Sequence, residues 1–388
     1  MRVAHVITRL IVGGAQENTI ASVVGLRQQP ACEATLISGP SHGAEGSLES
    51  FVREQGVPLT IVPELIRPVH PFRDWQALRE LTRFFIAQKP DIVHTHSGKA
   101  GVLGRLAAAR AQVPVIVHTI HGPSFGPWQN PLANWLFTGA ERRAARVTTH
   151  FVSVADAMTA QYLRAGIGSP ARFTTIRSGF DLEPFLRTDN APALRAELGL
   201  APDDIVVGKI ARLFKLKGHE DLLAVAPELI RRAPHIKLLF LGDGPWRRKF
   251  EAQAAALGIR DRVVFAGLVP PQRVAQYVGV MDFLVHLSRR EGLPRALPQA
   301  LAAARPVVAF DADGAREVCR DGETGFLVAV GDQVRLRESI SRLAADPELR
   351  ARFGHAGRAL VQEQFSTARM VEQIYALYQR LLNQTPGR

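Results

Sequence analysis

The most informative segment of the chain spans residues 288–317 and reads SRREGLPRALPQALAAARPVVAFDADGARE. It places Glu291 in a loop before an Ala- and Leu-rich helix, which is followed by an apolar strand, Val307–Phe310, and a turn at Gly314. In open α/β sheets, ligands bind beyond the carboxyl ends of the strands, and a helix start there presents N–H groups that suit a phosphate. A carboxylate beside it can accept hydrogen bonds from hydroxyls. The segment therefore predicts a ligand that carries both a phosphate and a sugar.

Short apolar strands alternate with amphipathic helices twice along the chain, and 388 residues are too many for one ordinary core. The predicted strands of the first half are Val3–Thr8, Ala34–Ser38, Leu59–Val62, Ile92–His94, Val115–His118, His150–Val154 and Phe173–Ile176. Those of the second half are Ile205–Ala211, Lys237–Leu241, Val263–Ala266, Phe283–Val285, Pro306–Ala309 and Gly325–Val328. This rhythm predicts an α/β protein with two doubly wound, Rossmann-like domains, each a parallel sheet covered on both faces. The central cleft between the two sets of strand ends is the expected ligand site.

Residues 178–202 separate the two halves and are rich in Pro, Asp and Asn, which is typical of a linker. We therefore place an N-terminal domain at residues 1–185 and a C-terminal domain at residues 186–365. A last helix, at about residues 366–385, is expected to cross back and pack on the N-terminal domain.

Composition argues against several classes of function. The net charge of +12 is spread over both halves without a basic tail, which argues against a nucleic-acid partner. A weak attraction to anionic membranes and a merely basic protein both remain open. No apolar run is long enough to span a bilayer, the N-terminus does not resemble a secretion signal, and two distant cysteines form no disulfide framework. We expect a cytoplasmic protein.

A group of cations follows the first strand of the second half. Arg212, Lys215 and Lys217 lie after the strand Ile205–Ala211, and Gly218 opens the next helix. Cations at this position suit a diphosphate and would offset the charge of a leaving nucleotide. The alternative is a solvated basic loop.

Glycines and histidines also follow strands. Gly13 and Gly14 would let backbone approach a ligand, or they form a tight turn. Gly242 is also a candidate donor-binding residue, although a structural turn explains it more simply. His121 can donate a hydrogen bond into the cleft, although a lone histidine is usually structural. Three further histidines alternate near strand ends but lack the glutamate of a zinc motif, so we predict no metal site; they are His94, His96 and His118.

Taken in order, these residues resemble the family-4 retaining glycosyltransferases, which have the GT-B fold, and the likeness covers almost the whole chain. The matching segments are Gly13–Gln16, Asp91–His96, His121–Gly122, Ile176–Asp181, Gly208–Arg212 with Lys217–Gly218, Gly242–Pro245, and 291–309 with its Glu-x7-Glu-like signature. Each match alone is modest, whereas their order and spacing are specific.

The resemblance implies a role for each candidate residue. Arg212 and Lys217 would hold the diphosphate of the donor, helped by backbone at Gly14, Arg295 and Ala296. The other implied contacts are Glu291 with hydroxyls of the donor sugar, His121 with the reacting sugar, and the backbone of Leu268 and Val269 with the base.

The chain departs from the family at one position. The second Glu of the signature is replaced by Gln299, and in the family that carboxylate usually holds the ribose hydroxyls. A glutamine can still accept a hydrogen bond through its carbonyl, but without charge assistance, which costs about 1–2 kcal/mol per bond. We expect donor binding to persist but to be weaker.

The family implies transfer of a sugar from a nucleotide-diphosphate sugar, with UDP or GDP as the carrier, to an acceptor hydroxyl with retention. We expect no cofactor and no metal, and a place in lipopolysaccharide, exopolysaccharide or other cell-surface glycan synthesis. The first domain would hold the acceptor. A segment with aromatic and basic side chains could rest on the inner membrane surface, where lipid-linked acceptors lie, or it could face the core; it comprises Trp128, Trp135, Leu136, Phe137, Arg142, Arg143 and Arg146.

Two other functions remain open. A nucleotide-sugar epimerase can share this fold, although the spacing of the phosphate loop fits a transferase better. A non-catalytic, donor-binding subunit of a polysaccharide complex is favoured by Gln299, whereas the retained Glu291, Arg212 and Lys217 argue against it.

Overall fold

The computed structural model describes residues 1–41 and 46–384, and the chain divides into two compact units. The first unit comprises Met1–Gly179 and the segment from Thr367 onward, and the second comprises Phe180–Ser366. The boundary lies before the predicted residue 185 because Phe180, Leu182 and Phe185 pack into the core of the second unit.

Each unit contains one sheet whose neighbouring strands pair in parallel. In the described part of the first unit the strands are β1 (Arg2–Ile7), β2 (Glu33–Ser38), β3 (Leu59–Ile61), β4 (Ile92–His96), β5 (Val115–Ile120), β6 (His150–Ser153) and β7 (Phe173–Thr175), in the order β3-β2-β1-β4-β5-β6-β7. In the second unit they are β8 (Ile205–Ile210), β9 (Ile236–Leu241), β10 (Val263–Gly267), β11 (Phe283–His286), β12 (Val307–Phe310) and β13 (Gly325–Val328), in the order β10-β9-β8-β11-β12-β13. These sheets confirm the expected pair of doubly wound α/β domains.

The helices lie between successive strands along the chain, except that the last three described follow the final strand. They are α1 (Gly14–Arg27), α2 (Glu49–Glu54), α3 (Pro71–Gln88), α4 (Gly98–Arg110), α5 (Pro131–Ala145), α6 (Asp156–Arg164), α7 (Glu183–Leu186), α8 (Pro192–Glu197), α9 (His219–Arg232), α10 (Arg247–Ala256), α11 (Val274–Gly279), α12 (Ala296–Ala302), α13 (Gln333–Ala345), α14 (Pro347–Gln364) and α15 (Thr367–Gln384). Residue 385 of the predicted last helix lies outside the described residues.

Helices cover both faces of each sheet, as the side-chain alternation of β1 shows. Val3 and Ile7 belong to one apolar cluster, and Ala4 and Val6 belong to another on the opposite face. Because both faces are buried, a parallel strand reads as a continuous apolar run. His5 interrupts that run and is 0% exposed, so a polar ring lies inside the sheet layer.

The last helix, α15, packs on α1 in the first unit. A Cβ on Gly25 of α1 would lie 2.4 Å from a methyl group of Val371, so glycine permits the close approach of the two helices. Tyr378, further along α15, is 0% exposed and extends toward β1 and β4. The C-terminal segment thus contributes a polar group to the core of the first unit.

Candidate active site

Two loops meet at the carboxyl ends of β8 and β11, which are neighbours in the sheet of the second unit. The N–H of Arg289 donates to the carbonyl oxygen of Leu216 at 2.9 Å. Gly218, with φ of 70°, precedes α9, and a Cβ there would lie 2.2 Å from the carbonyl oxygen of Leu287. The loops therefore approach each other so closely that only glycine fits at position 218.

This approach brings together two of the predicted catalytic residues. Lys217 forms an ion pair with Oε1 of Glu291, and the hydroxyl of Ser288 donates to the same oxygen at 2.9 Å. Burial alone would raise the pKa of Glu291, but the charge of Lys217 and the two hydrogen bonds lower it, so the carboxyl group is ionised at neutral pH. Among the described residues, Oε2 of Glu291 has no partner and can accept a hydrogen bond from a ligand.

The turn after β12 holds the backbone of the Glu291 loop. The N–H of Glu291 donates to Oδ2 of Asp313 at 2.8 Å. The expectation of a metal-free reaction overlooked one Asp-x-Asp sequence, at residues 311–313. Asp311 is paired with Arg316, and Asp313 accepts the Glu291 N–H, so both carboxylates already have partners within the protein.

The predicted phosphate-binding residues follow β8 and β9. Arg212 is exposed, and its guanidinium carbon lies 5.0 Å from the centroid of the Phe214 ring. Gly242 has φ of 134°, and a Cβ there would lie 2.3 Å from the carbonyl oxygen of Ala211. Glycine at position 242 therefore lets the turn after β9 pack directly against the start of the Arg212 loop.

The predicted base-binding residues continue the same edge of the sheet. The N–H of Gly242 donates to the carbonyl oxygen of Gly267, the last residue of β10, at 2.9 Å. Leu268 comes next and is 77% exposed, and Val269 is partly buried. Because β10, β9, β8, β11 and β12 are successive neighbours, the predicted base-, phosphate- and sugar-binding residues lie in a row.

Helix α12 begins at Ala296 with Arg295 as its N-cap, in agreement with the helix start predicted from the sequence. Pro298 is in the first turn, where its missing N–H costs no helix hydrogen bond. Burial lowers the pKa of Arg295 to about 10. Gln299 is also buried on this helix, and among the described residues no hydrogen bond joins its side chain to Glu291.

A buried lysine, which the sequence analysis did not consider, lies on β8. Lys209 is 1% exposed, and its Nζ has no hydrogen-bond partner among the described residues. Burial, and then the charge of Lys217, lower the pKa of Lys209 to about 7. Two nearby histidines are buried as well, and chiefly because of burial their pKa values fall to about 2 for His219 and about 3 for His286.

The other predicted residues lie in the first unit, at the carboxyl ends of β1 and β5. Gly13 is extended, and Gly14 begins α1; no heavy atom of the described residues lies within 4 Å of where its Cβ would be. His121 follows β5, and its Nε2 lies 3.1 Å from Nδ1 of His96. Burial lowers the pKa of His121 to about 4.

Three buried histidines of the first unit could in principle hold a metal ion. Ligand nitrogens of His5, His94 and His96 lie within 4.8 Å of one another. Every ring nitrogen of the three is already hydrogen-bonded to a protein side chain, so a metal ion would have to displace these bonds. His5 is not among the residues predicted from the sequence, where its one signal is a polar residue inside an apolar strand.

Helix α5 exposes a group of apolar side chains. Leu132, Trp135 and Leu136 are 68%, 71% and 52% exposed, and Trp128 before the helix is 50% exposed. The core-facing alternative is therefore wrong for these side chains, whereas Phe137 is partly buried. Three arginines near the other end of the helix are also exposed; they are Arg142, Arg143 and Arg146. Across the described residues, no helix combines the length and apolar character that crossing a membrane requires.

Both units match families of known proteins. Residues 13–179 match the family model of the glycosyl transferase 4-like domain, and residues 190–360 match that of the glycosyl transferases group 1. The chain is also 31% identical, over 308 residues, to EpsD of Bacillus subtilis, a protein assigned as a glycosyltransferase. That alignment covers 77% of this chain and 79% of EpsD. The chain belongs to the GT-B glycosyltransferases.

Two further comparisons extend over nearly the full length of this glycosyltransferase. It is 25% identical over 383 residues to the UDP-Gal:alpha-D-GlcNAc-diphosphoundecaprenol alpha-1,3-galactosyltransferase of Escherichia coli, covering 97% of this chain and 96% of the relative. The crystal structure of HepE from Anabaena in complex with UDP shares its fold with a TM-score of 0.82 at 22% identity, covering 98% of this chain and all of that one.

Proposed function

We propose that this glycosyltransferase is a retaining, metal-independent family-4 enzyme that transfers a sugar from a nucleotide-diphosphate sugar to an acceptor hydroxyl. The observation that carries the proposal is the Lys217–Glu291 pair, an ionised carboxylate held by an ammonium group beside the Arg212 loop. This arrangement places a carboxylate, which can accept hydrogen bonds from sugar hydroxyls, beside cations that can bind a diphosphate.

In the proposed reaction the bond between the anomeric carbon and the β-phosphate oxygen breaks, and the acceptor oxygen bonds to the same face of that carbon. The departing phosphate takes the acceptor proton, and Arg212 and Lys217 stabilise the charge that develops on it. Glu291 binds hydroxyls of the donor sugar, and His121 contacts the reacting sugar. Gln299 and the backbone of 268–269 bind the nucleoside.

The relatives support a nucleotide-sugar donor and a place in the synthesis of cell-surface polysaccharide. HepE was crystallised with UDP and with UDP-glucose, and the galactosyltransferase of Escherichia coli is named for a UDP-sugar donor and a diphosphoundecaprenol acceptor. A UDP- or GDP-sugar donor and a lipid-linked glycan acceptor are therefore the substrates we propose.

We further propose that α5 rests on the cytoplasmic face of an anionic membrane, where such acceptors lie. The exposed Leu132, Trp135 and Leu136 supply apolar area, and the exposed arginines of the same helix favour anionic lipid. Flotation with vesicles of anionic lipid should carry the protein upward. A Trp135→Ser/Leu136→Ser variant should stay in solution, and Val334→Ser, which alters an exposed apolar residue of the second unit, should still float.

Calorimetry against UDP-, GDP- and ADP-sugars, followed by transfer assays with lipid-linked acceptors, tests the reaction. Glu291→Gln and Lys217→Met should each reduce kcat by about a hundredfold or more, whereas Glu183→Gln, which breaks an exposed ion pair with Arg187, should change little. Transfer without epimerised donor supports the proposal. Epimerised donor, or donor binding without any turnover, would select one of the two alternatives.

A further inference from the structure

Six side chains of the first unit form one continuous line of hydrogen bonds that ends at His121. We call it the histidine network, and its members in order are Thr119, His94, Tyr378, His5, His96 and His121. The distances are 2.6 Å from Thr119 Oγ1 to His94 Nε2, 2.5 Å from His94 Nδ1 to the Tyr378 oxygen, 3.3 Å from that oxygen to His5 Nε2, 2.9 Å from His5 Nδ1 to His96 Nε2, and 3.1 Å from His96 Nδ1 to His121 Nε2.

Every ring in the network is neutral at pH 7. Burial lowers the pKa of His5 to about 3 and that of His121 to about 4. Burial, and then the charges of neighbouring histidines, hold the pKa values of His94 and His96 well below the usual 6.5. A neutral imidazole has one N–H donor and one acceptor nitrogen, so each ring in the network must donate on one side and accept on the other.

The tautomers are consequently coupled. Each hydrogen bond contains one proton, and the hydroxyl of Tyr378 can donate to only one of its two histidine neighbours. If Tyr378 accepted from both neighbours, its own hydrogen would have no acceptor among the described residues. The network therefore has two consistent directions, and the choice made at one end fixes the tautomer at the other.

Thr119 selects between these directions. It is 3% exposed, and within the described residues its hydroxyl contacts only Nε2 of His94. When Thr119 donates, its hydrogen is satisfied; when it accepts, a buried O–H is left without an acceptor, which is costly. The first direction puts a proton on Nδ1 of His94 and then, through Tyr378, on Nδ1 of His5, His96 and His121 in turn.

We infer that Thr119, acting through the histidine network, holds His121 in the Nδ1–H tautomer and makes its outward nitrogen a hydrogen-bond donor. The described residues supply no partner to that nitrogen, so it is available to a ligand. Thr119 and Tyr378 are then positioning residues for His121. The consequence for catalysis rests on the proposed function: a donor at this point would bind a sugar oxygen and would not act as a base.

The tautomers can be measured directly in the full-length protein labelled with ¹⁵N-histidine. Two-bond ¹H–¹⁵N correlation spectra at pH 7 distinguish Nδ1–H, Nε2–H and charged rings, and single His→Gln variants assign the signals. The expected result is Nδ1–H at His5, His94, His96 and His121, with at least about a fivefold excess over Nε2–H at His121. An Nε2–H tautomer at His121, a charged ring, or stoichiometric zinc in the purified protein would overturn the inference.

Matched variants test the coupling. Thr119→Val should let Nε2–H become populated at His121, and Thr119→Ser should restore the wild-type spectrum. Tyr378→Phe should also perturb His121, although it removes a hydroxyl three hydrogen bonds away. The controls are Thr95→Val, which removes a buried hydroxyl bonded to His118, and Tyr375→Phe, which removes a hydroxyl of the same helix bonded to Pro30. An unchanged His121 spectrum in Thr119→Val or Tyr378→Phe would overturn the coupling.

The spectra need no substrate, so they decide the inference even if the protein shows no transfer activity. If transfer is observed, Thr119→Val and Tyr378→Phe should lower kcat several-fold with little change in the donor KM, and Thr119→Ser should recover kcat. If Thr119→Val or Tyr378→Phe fails to fold, the wild-type spectrum still reports the tautomer of His121, and the other variant still tests the coupling.

Discussion

Lowering the pH from 7 to 5.5 should destabilise the first unit, because four of its histidines are buried without charge. His5, His94, His96 and His118 are each at most 1% exposed. Burial lowers the pKa of His5 to about 3 and is the first cause that holds the other three pKa values well below 6.5. For His118 the charge of Arg105 adds to that effect.

The direction of this change in stability depends on whether the folded or the unfolded chain binds more protons. Above about pH 6.5 neither the folded nor the unfolded chain protonates these histidines, so their contribution to stability is fully present. As the pH falls below 6.5, only the unfolded chain takes up protons, and the free energy of unfolding decreases until the folded pKa values are reached, which for His5 is about 3. Glu291 does not interfere, since its pKa lies below 4.5.

The magnitude is large relative to the stability of an ordinary domain. Each histidine that stays uncharged in the folded state lowers the free energy of unfolding by about 1.3 kcal/mol between pH 7 and 5.5. The four together lower it by about 5 kcal/mol. Domains are typically stable by about 5–15 kcal/mol. His121 and His150, whose pKa values burial lowers to about 4, act in the same direction.

Urea unfolding at pH 7.0, 6.0 and 5.5 measures the effect. A brief deuterium pulse at one fixed pH, read by mass spectrometry, separates the units: peptides from β4 and β5 report the first, and peptides from β9 and β10 the second. The second unit buries two such histidines, His219 and His286, against six in the first unit, so its loss should be less than half as large. A loss in the first unit of less than about 1.3 kcal/mol, the share of one histidine, would refute the reasoning.

Three substitutions give further predictions that thermal or urea unfolding can check. Gly218→Ala should cost at least about 2 kcal/mol because its Cβ would clash with backbone. Gly199→Ala, also at positive φ but with no described atom within 4 Å of its Cβ, should cost only about 1 kcal/mol; equal losses would contradict the close loop approach. Lys209→Met should be neutral or stabilising by about 1–3 kcal/mol, since the buried ammonium has no partner among the described residues, and clear destabilisation would show an unrecognised partner. Glu141→Ala should cost about 3–5 kcal/mol, because it leaves the guanidinium of Arg105 buried without its ion pair; a loss below 1 kcal/mol would mean that Arg105 reaches solvent.

Apolar periodicity was enough to predict the two sheets, because strands buried on both faces are continuous apolar runs. It failed where polar residues are buried. The strand predicted at Ile92–His94 extends to His96 in the structure, since Thr95 and His96 find hydrogen-bond partners inside the protein. A pattern based on apolar residues does not extend through consecutive polar side chains, because it cannot anticipate that they find hydrogen-bond partners inside the protein.

In the candidate site, too, some residues carry a signal in the sequence, whereas their contacts depend on the fold. Lys217 and Glu291 were each marked by their position after a strand, but their contact depends on β8 and β11 being neighbours, which the sequence order does not state. Ser288 and Asp313, which hold the Glu291 loop, carry no signal of their own. Tyr378 lies 284 residues from His94, and only the packing of α15 in the first unit brings them together.

Lys209 and the histidine network are both buried and polar, but they differ in whether their hydrogen bonds are satisfied. Lys209 lacks a hydrogen-bond partner among the described residues, whereas both ring nitrogens of His5, His94 and His96 have partners. A satisfied polar network is no more stabilising than apolar packing of similar volume, and because its buried histidines stay neutral it lowers the free energy of unfolding in acid. Its members run from a hydroxyl with one partner to a ring nitrogen that is open to ligand. We infer that the benefit that offsets the cost lies at His121, where the proposed tautomer control would set which ring nitrogen carries the proton.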